Sequence, residues 1–455
     1  MARAKAQTTA EASTHDDLAE WFGRQRWFHG RPGAFTVTGI ERTTVPGPTI
    51  GGQPVDDVSD HLVVSLVTVE DGESTAVYQL VGDGSSADGL DQPQAAAALA
   101  RALGSDATVT GPSGRISFRW VDDRPPPAGL ALPLGAEQSN TSLVLADRAV
   151  LKVFRRLRDG RNPELEMLRF LTGRGFEHIA PLLGWYEVDG PLSTTLGVAQ
   201  ELVVDGRDGW ELALEMMRWD AGGLLAHLHR LGAVVASLHE VLASDTDDPD
   251  FGRVDGGLDT GLALAEAIGD AAAVVLPELA DVPGCEDLAD RAPDVAALAA
   301  RLAADLDVGP LIRHHGDLHL GQTLWTSNRW VLLDFEGEPI RPVDERRERR
   351  PALRDVAGLL RSLAYAVATV ERTGAPVAPG WEPAARAALL DGYLAAADPS
   401  TLPDTAPDIR RLLLLHELEK VVYEIAYEVA HRPTWVAIPA GALRRTTDQL
   451  QGAAS

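Results

Sequence analysis

Asp317, Gln322 and Asp334 have the types and spacing that phosphoryl transfer needs. Asp317 lies in Arg313-His314-His315-Gly316-Asp317-Leu318-His319-Leu320-Gly321-Gln322, and Asp334 in Trp330-Val331-Leu332-Leu333-Asp334-Phe335-Glu336-Gly337. A carboxylate such as Asp317 can accept a proton from an attacking hydroxyl. Gln322 and Asp334 offer hard oxygen ligands to Mg²⁺, and the metal would hold a nucleotide's phosphates. His315 and His319 read as braces of the loop, since no Cys or His cluster completes a zinc site.

These residues need a hairpin to bring them together. Thr323-Leu324-Trp325 and Trp330 to Leu333 are strand-like, Thr326-Ser327-Asn328-Arg329 makes the turn, and Leu311-Ile312 leads into the loop. Upstream, Gly135-Ala136-Glu137-Gln138-Ser139-Asn140-Thr141-Ser142 runs into a strand, a turn at Asp147-Arg148 and a second strand carrying Lys152. Its glycines do not form a phosphate-cradling loop. Backbone amides and the hydroxyls of Ser139, Thr141 and Ser142 can still bind phosphate oxygens. Asn162 to Gly173 reads as a helix with Pro163 in its first turn and Gly173 at its stop.

His315-Gly316-Asp317-Leu318-His319 with Gln322, then Asp334-Phe335-Glu336-Gly337, resembles the catalytic and metal loops of the aminoglycoside-phosphotransferase-like kinases. Within that group the wording is most similar to the actinobacterial maltokinases. Glu137-Gln138-Ser139-Asn140-Thr141-Ser142 stands as in them. Gln25-Arg26-Trp27-Phe28-His29-Gly30-Arg31 resembles their opening motif, with departures at Phe28 and His29. The resemblance implies a bilobal, protein-kinase-like α+β fold with an N-terminal α+β cap. It implies Asp317 as base, Mg²⁺ on Gln322, Asp334 and Glu336, and ATP on Lys152, Ser139, Asn140, Thr141, Ser142 and the hinge Gln200-Glu201-Leu202-Val203, whose backbone would read adenine. Lys152 should pair with a carboxylate of the following helix. Glu166 matches the family pattern, and Glu164 is equally allowed by spacing.

The helix from about Pro407 to Ala430 sets His416, Lys420, Tyr423, Tyr427 and His431 on one face, with Glu424 at its edge. Leu418, Val421, Val422, Ile425 and Val429 fall opposite. Stacked tyrosines with charged groups suit a sugar. Glu419-Lys420-x-x-Tyr423-Glu424-x-x-Tyr427-Glu428 with Arg432-Pro433-x-Trp435 resembles the maltokinase C-terminal motif, although Val436-Ala437-Ile438-Pro439 replaces its usual ending. The resemblance therefore implies an acceptor site of His319, Lys420, Tyr423, Glu424, Tyr427 and Trp435. It implies phosphorylation of maltose at its anomeric hydroxyl to maltose 1-phosphate, feeding α-glucan and glycogen synthesis. Glucosamine or an aminoglycoside is the alternative acceptor, and a kinase-like binding protein without activity is the reading from another class.

A net charge of −26 argues against nucleic-acid and anionic-membrane partners. A single cysteine, Cys285, excludes an internal disulfide and suits a reducing, cytoplasmic setting. No apolar run reaches the ~18 residues of a membrane span. The lysines are Lys5, Lys152 and Lys420 alone, in a chain with 41 Lys and Arg together. Lys152 and Lys420 thus stand where a compact ammonium is wanted rather than a planar fork. Pro125-Pro126-Pro127 is a stiff boundary. The expected parts are a cap over residues 1–125, a nucleotide-binding lobe over 126–204 and a mostly helical lobe over 205–455, and the expected assembly is a monomer. Arg354 and Asp355, at the start of a helix, are expected to brace the metal loop.

Overall fold

The computed structural model describes residues 15–452 except 26, 29, 31–33, 47–48, 51–52, 55–61, 73, 84–87, 91, 125–130, 134–139, 245 and 340. The chain divides into two compact units, one of residues 1–173 with 180–204, the other of 174–179 with 205–455. Both belong to an α+β, kinase-like fold.

The N-terminal unit begins with helix α1, which includes residues 15–22. Strands β1 (Thr36–Val45), the two-residue pair β2 and β3 (Thr49–Ile50, Gln53–Pro54), β4 (Leu62–Glu70) and β5 (Thr75–Gly82) follow. Helix α2 (Pro93–Gly104) precedes β6 (Thr108–Gly111), β7 (Gly114–Trp120), β8 (Ala131–Pro133), β9 (Asn140–Leu145), β10 (Ala149–Phe154) and β11 (Arg156–Leu157). Helix α3 (Pro163–Gly173), β12 (Leu182–Asp189) and β13 (Thr194–Glu201) complete the unit. One antiparallel sheet runs β1-β4-β5-β11 and the other β6-β7-β12-β13-β10-β9-β8. Strands from both sides of the proline boundary share the second sheet, so residue 125 does not separate compact units. The physical reason is that β6 and β7 find their ladder partner in β12 rather than in the cap's own sheet.

Buried polar groups tie the two sheets together. Gln79 of β5 donates to Phe154 O at 2.9 Å and Leu196 O at 2.8 Å. Arg155, buried just after β10, pairs with Asp88 at 2.6 Å. An aromatic cluster of Phe22, Trp27, Phe28, Phe35 and Tyr78 seats α1 on the first sheet.

The C-terminal unit is mostly helical. After β14 (Arg207–Asp208) come α4 (Gly209–Trp219), α5 (Ala221–Ala243), β15 (Val254–Asp255), α6 (Leu258–Val275) and α7 (Ala292–Ala303). Strand β16 (Pro310–Ile312) leads into the catalytic loop, and β17 (Thr323–Trp325) with β18 (Trp330–Leu332) forms the expected hairpin. A single turn α8 (Val343–Arg346), β19 (Arg350–Pro351), α9 (Leu353–Arg372), α10 (Trp381–Ala396), α11 (Ala406–His431) and α12 (Ala437–Gly452) follow. Helix starts carry their caps: Asp208 accepts from Glu211 N at 2.9 Å, Asp220 from Gly223 N at 2.9 Å, and Thr405 from Asp408 N at 3.2 Å. Among the described residues, α5 has the length and hydropathy of a membrane span, contrary to the expectation that none does. Its Leu224, Leu228, Leu231, Val235 and Leu238 are instead buried in the unit.

Candidate active site

The loop after β16 is held from below by the first turn of α9. Asp355 accepts from His315 N at 2.7 Å and Gly316 N at 2.9 Å, and from His239 Nε2 at 3.2 Å. Burial would raise the Asp355 pKa, but the His239 hydrogen bond outweighs it and holds the group ionised. Arg354 donates to Gly316 O at 2.9 Å and to Glu338 at 2.8 Å. Asp355 therefore braces the catalytic loop, while Arg354 spans that loop and the residue after the Asp334–Gly337 turn. His315 Nε2 reaches Leu333 O at 2.8 Å, so this imidazole ties the loop to the end of the hairpin.

Asp317 emerges from this frame at 25% side-chain exposure, 3.7 Å from Lys420 Nζ of α11. The same ammonium bonds Glu338 Oε1 at 2.5 Å. Glu338 is 2% exposed and also meets Arg341. Burial works against its charge, yet Lys420, Arg354 and Arg341 hold its pKa down at about 2. Lys420 is likewise pushed down by burial but raised overall by Glu338 and Asp317, and stays charged. The lysine expected to bond sugar hydroxyls is thus committed mainly to a buried carboxylate.

Asp317 opens into a cavity of about 410 Å³ built by the catalytic loop, α4, α9 and α11. His319, Lys420, Tyr423, Glu424 and Tyr427 all line it, as do Trp210, Arg361, Tyr365, Glu428 and Arg432. Arg361 and Tyr365 stand one turn apart on α9, facing Glu424 and Glu428 one turn apart on α11. Arg361 meets Glu424 at 2.6 Å, Tyr365 Oη meets Glu428 at 3.0 Å, and Arg432 closes on Glu428 at 2.6 Å. His319 Nδ1 accepts from Gly321 N at 3.1 Å, leaving Nε2 as its donor, and burial lowers its pKa despite nearby Asp317. Trp435 is not a wall of the cavity. Its ring stacks behind Tyr365 at 6.5 Å, and the Arg372 guanidinium lies 4.7 Å from it. The short 3-10 turn Pro433–Trp435 carries it past the end of α11, out of line with Tyr423 and Tyr427.

In the N-terminal unit, Lys152 sits centrally on β10, opposite Ser142 of β9 and Val198 of β13. Its ammonium bonds Glu164 at 3.0 Å, so the carboxylate preferred at Glu166 is found two residues earlier. Asn162 Oδ1 accepts from Glu164 N at 2.8 Å and fixes that residue at the helix start, whereas Glu166 has Arg161 at 3.8 Å. Thr141 Oγ1 accepts from Arg155 at 2.8 Å, and Asn140 and Ser142 are buried beside it. Ser139 lies outside the described residues. In the expected hinge, Glu201 N is used by Pro181 O and Leu202 N by Arg148 O. Those two amides serve the sheet, which leaves the reading of a base to other groups of Gln200–Val203. Gln200 turns its side-chain amide to Ala180 O at 3.0 Å.

A family model described as the phosphotransferase enzyme family matches residues 130–337. A glucosamine kinase of Mycolicibacterium smegmatis is 30% identical over 333 residues, 70% of this chain and 79% of the relative. The chain belongs to the phosphotransferase enzyme family. A glucosamine kinase of Streptacidiphilus jiangxiensis is 31% identical over 322 residues, 67% of this chain and 70% of the relative. The fold matches that of a glucosamine kinase solved with glucosamine, ADP and inorganic phosphate, at TM-score 0.66 and 24% identity over 91% of this chain and 94% of that one. This phosphotransferase is a kinase-type enzyme.

Kinase chemistry in the family uses ATP and Mg²⁺. The residues present fit such an ion. Carboxylate oxygens of Asp334 and Glu336 lie within 4.8 Å of each other, and Gln322 Nε2 donates to Asp334 Oδ2 at 3.0 Å. The amide nitrogen is thereby engaged, and Gln322 Oε1 is left as a hard ligand atom. Asp334 adopts a left-handed backbone, φ 59°, a conformation that Asp visits more readily than most residues.

Sequence reasoning missed Arg361, Tyr365, Glu428 and Arg432 as cavity walls. Their signal was the i, i+4 repeat on two helices of complementary charge, which becomes visible only once α9 is known to face α11.

Proposed function

We propose that the enzyme transfers phosphate from ATP to a hydroxyl of a small aminosugar of the glucosamine kind. The observation that carries this reading is the placement of Asp317 at the floor of a cavity walled by Glu424, Glu428, Arg361, Tyr423 and Tyr427. Its volume of about 410 Å³ lies near the lower end of small-molecule sites, roughly 300–1,000 Å³. Fixed carboxylates accept from hydroxyls and from an ammonium, guanidiniums donate to ring oxygens, and tyrosine faces cover apolar ring surface. The relatives named glucosamine kinase support the choice of acceptor.

In this reading Asp317 orients the acceptor hydroxyl and takes its proton. Lys420 fixes the Asp317 carboxylate, and Lys152, held by Glu164, faces the nucleotide phosphates. Bound Mg²⁺ on Gln322, Asp334 and Glu336 would neutralise phosphate charge. Phosphorylation of maltose is the second reading. It is favoured by the aromatic run of Tyr423 and Tyr427 along α11, on which a second sugar ring can stack, and by the C-terminal motif.

The test is a panel of glucosamine, maltose, glucose and an aminoglycoside with ATP and Mg²⁺, the product linkage being read by NMR. Glucosamine is expected to give the highest kcat/KM. Preferred transfer to maltose would replace the first reading by the second, and absence of transfer to any acceptor would remove both.

A further inference from the structure

The segment after the metal turn carries five arginines between residues 341 and 350. Arg341, Arg347 and Arg350 each pair with a carboxylate: Glu338 at 2.5 Å, Asp250 at 3.5 Å and Glu348 at 2.5 Å. Arg346 and Arg349 turn to backbone carbonyls instead. Arg349 holds Gly252 O at 3.1 Å and Phe251 O at 2.8 Å, in the loop after α5. Arg346 folds back onto the metal turn. Its Nε donates to Arg341 O at 2.9 Å and its Nη2 to Pro339 O at 2.6 Å, and Nη1 lies 3.5 Å from Glu336 O. The single turn of α8 brings it there, closed by Arg346 N on Pro342 O at 3.2 Å. The arginine stem covers Gly337, whose φ is 74°: a Cβ there would stand 3.3 Å from Arg346 Cβ and 3.4 Å from Cγ.

We propose that Arg346 is a positioning residue for phosphoryl transfer, fixing the turn that carries Asp334 and Glu336 against the rim of the cavity that holds Asp317. This role rests on the reading of those two acids as Mg²⁺ ligands. The turn lies past Leu332, where the β17–β18 ladder ends, so its placement depends on other bonds. Pro339 lines the acceptor cavity, and one guanidinium thus spans the metal turn and the cavity wall. The turn also touches the catalytic loop: a Cβ on Gly316 would stand 3.3 Å from Gly337 Cα, so a shift of the turn reaches the residue next to the base. Three carbonyls in different directions suit a planar fork of five donors rather than a compact ammonium. Burial pushes the Arg346 pKa down, and Glu336, Tyr423, Asp317 and Asp334 partly offset it. The guanidinium therefore stands where the metal turn, the acceptor wall and the base meet.

Calorimetry of ATP binding to the full chain, with and without Mg²⁺, tests it. Arg346→Met keeps the stem over Gly337, and Arg346→Lys keeps the charge. Each should lose about tenfold of the affinity that Mg²⁺ adds, the size of one lost hydrogen bond from a charged donor, while metal-free ATP binding stays as in the wild type. Arg349→Met removes a carbonyl brace of the same kind from the loop after α5, and should leave the Mg²⁺ dependence unchanged even if it lowers the melting temperature. Asp334→Ala is the reference and should lose at least as much as either Arg346 variant. Loss in Asp334→Ala beside wild-type behaviour in both Arg346 variants overturns the role of Arg346 and leaves the metal turn standing. The full Mg²⁺ gain in Asp334→Ala overturns the metal reading, and this role with it. The role is also overturned if Arg346→Lys alone keeps the gain, since charge rather than the fork then acts, if either Arg346 variant binds more tightly with Mg²⁺, or if Arg349→Met loses as much.

Discussion

At the scale of single residues, the chemistry rests on one partly exposed carboxylate and one buried ammonium. Asp317→Asn is nearly isosteric and keeps the loop frame of Asp355 and Arg354. It should retain the fold and nucleotide affinity while kcat falls ~10²–10⁴-fold, the usual worth of a positioned base. Half of wild-type turnover in that variant would remove Asp317 from the role. Lys420 makes a different prediction from a sugar-binding lysine. Its Nζ bridges Glu338 at 2.5 Å and Asp317 at 3.7 Å. Lys420→Met leaves Glu338 with Arg354 and Arg341 but unties Asp317. Charges within one contact network couple by roughly 0.5–3 kcal/mol, so loss of this ion pair should lower kcat by ~2- to 100-fold. The acceptor KM should change by much less. Steady-state kinetics in which KM rises tenfold and kcat holds would return Lys420 to the sugar.

At the scale of elements, the site depends on how closely α9 can approach the catalytic loop. Gly358 is the point of contact, and a Cβ there would stand 2.5 Å from Leu318 O, which is backbone and must move. Gly358→Ala should therefore lower stability by ~1–3 kcal/mol, the range for overpacking, and should displace Asp317 relative to the cavity. A melting curve and kcat measured together check this. Lowered melting with wild-type kcat would mean that the loop moves without consequence. Much of this frame is legible in the sequence. The β17–β18 hairpin, Lys152 on its strand, and α3, α5, α9 and α11 all follow from apolar periodicity and turn chemistry. The Lys152 partner does not, because Glu164 and Glu166 both fall in the first turn of α3 and only the Asn162 bond to Glu164 N separates them. Helices α10 and α12 escape such a reading, the second because Pro439 falls within its first turn, where it reads equally well as a break. Trp435 follows from motif alone, and the turn that carries it behind Tyr365 is not encoded in spacing.

At the scale of the whole molecule, the chain carries a net charge of −26, yet the C-terminal unit folds around buried charges that are individually paired. Glu338, Glu419, Arg354, Arg341 and Lys420 form one network, with Arg354 near Glu419 at 3.4 Å and Arg341 near it at 2.9 Å. Its dependence on pH has a definite sign. Glu338 titrates at about 2 in the folded chain against 4.5 ordinarily, so unfolding takes up a proton between those values. Its contribution is complete above pH ~4.5 and is lost as pH falls toward 2. His314 is held near 3 rather than 6.5, mainly by burial, which Asp355 only partly offsets. That imidazole is neutral when folded and charges on unfolding, so stability also declines as pH falls from 6.5 toward 3. The two windows overlap, and the C-terminal unit should lose several kcal/mol between pH ~6.5 and ~3, since each proton taken up on unfolding costs about 1.4 kcal/mol for every pH unit crossed. Glu338→Gln separates them. It leaves Lys420 with Asp317 at 3.7 Å while Arg354 and Arg341 keep Glu419, and should destabilise the enzyme by up to ~3–5 kcal/mol at pH 7, the cost of breaking a buried pair. Its remaining acid sensitivity should then follow the groups still held below their ordinary values, His314 from pH ~6.5 downward and, below pH ~4.5, Glu419 and Asp355. Thermal melts from pH 8 to pH 3.5 on wild type and Glu338→Gln decide the matter. A wild type whose melting temperature is flat across that range would show that the network is not sealed from water, and Lys420 would then be free to serve the acceptor after all.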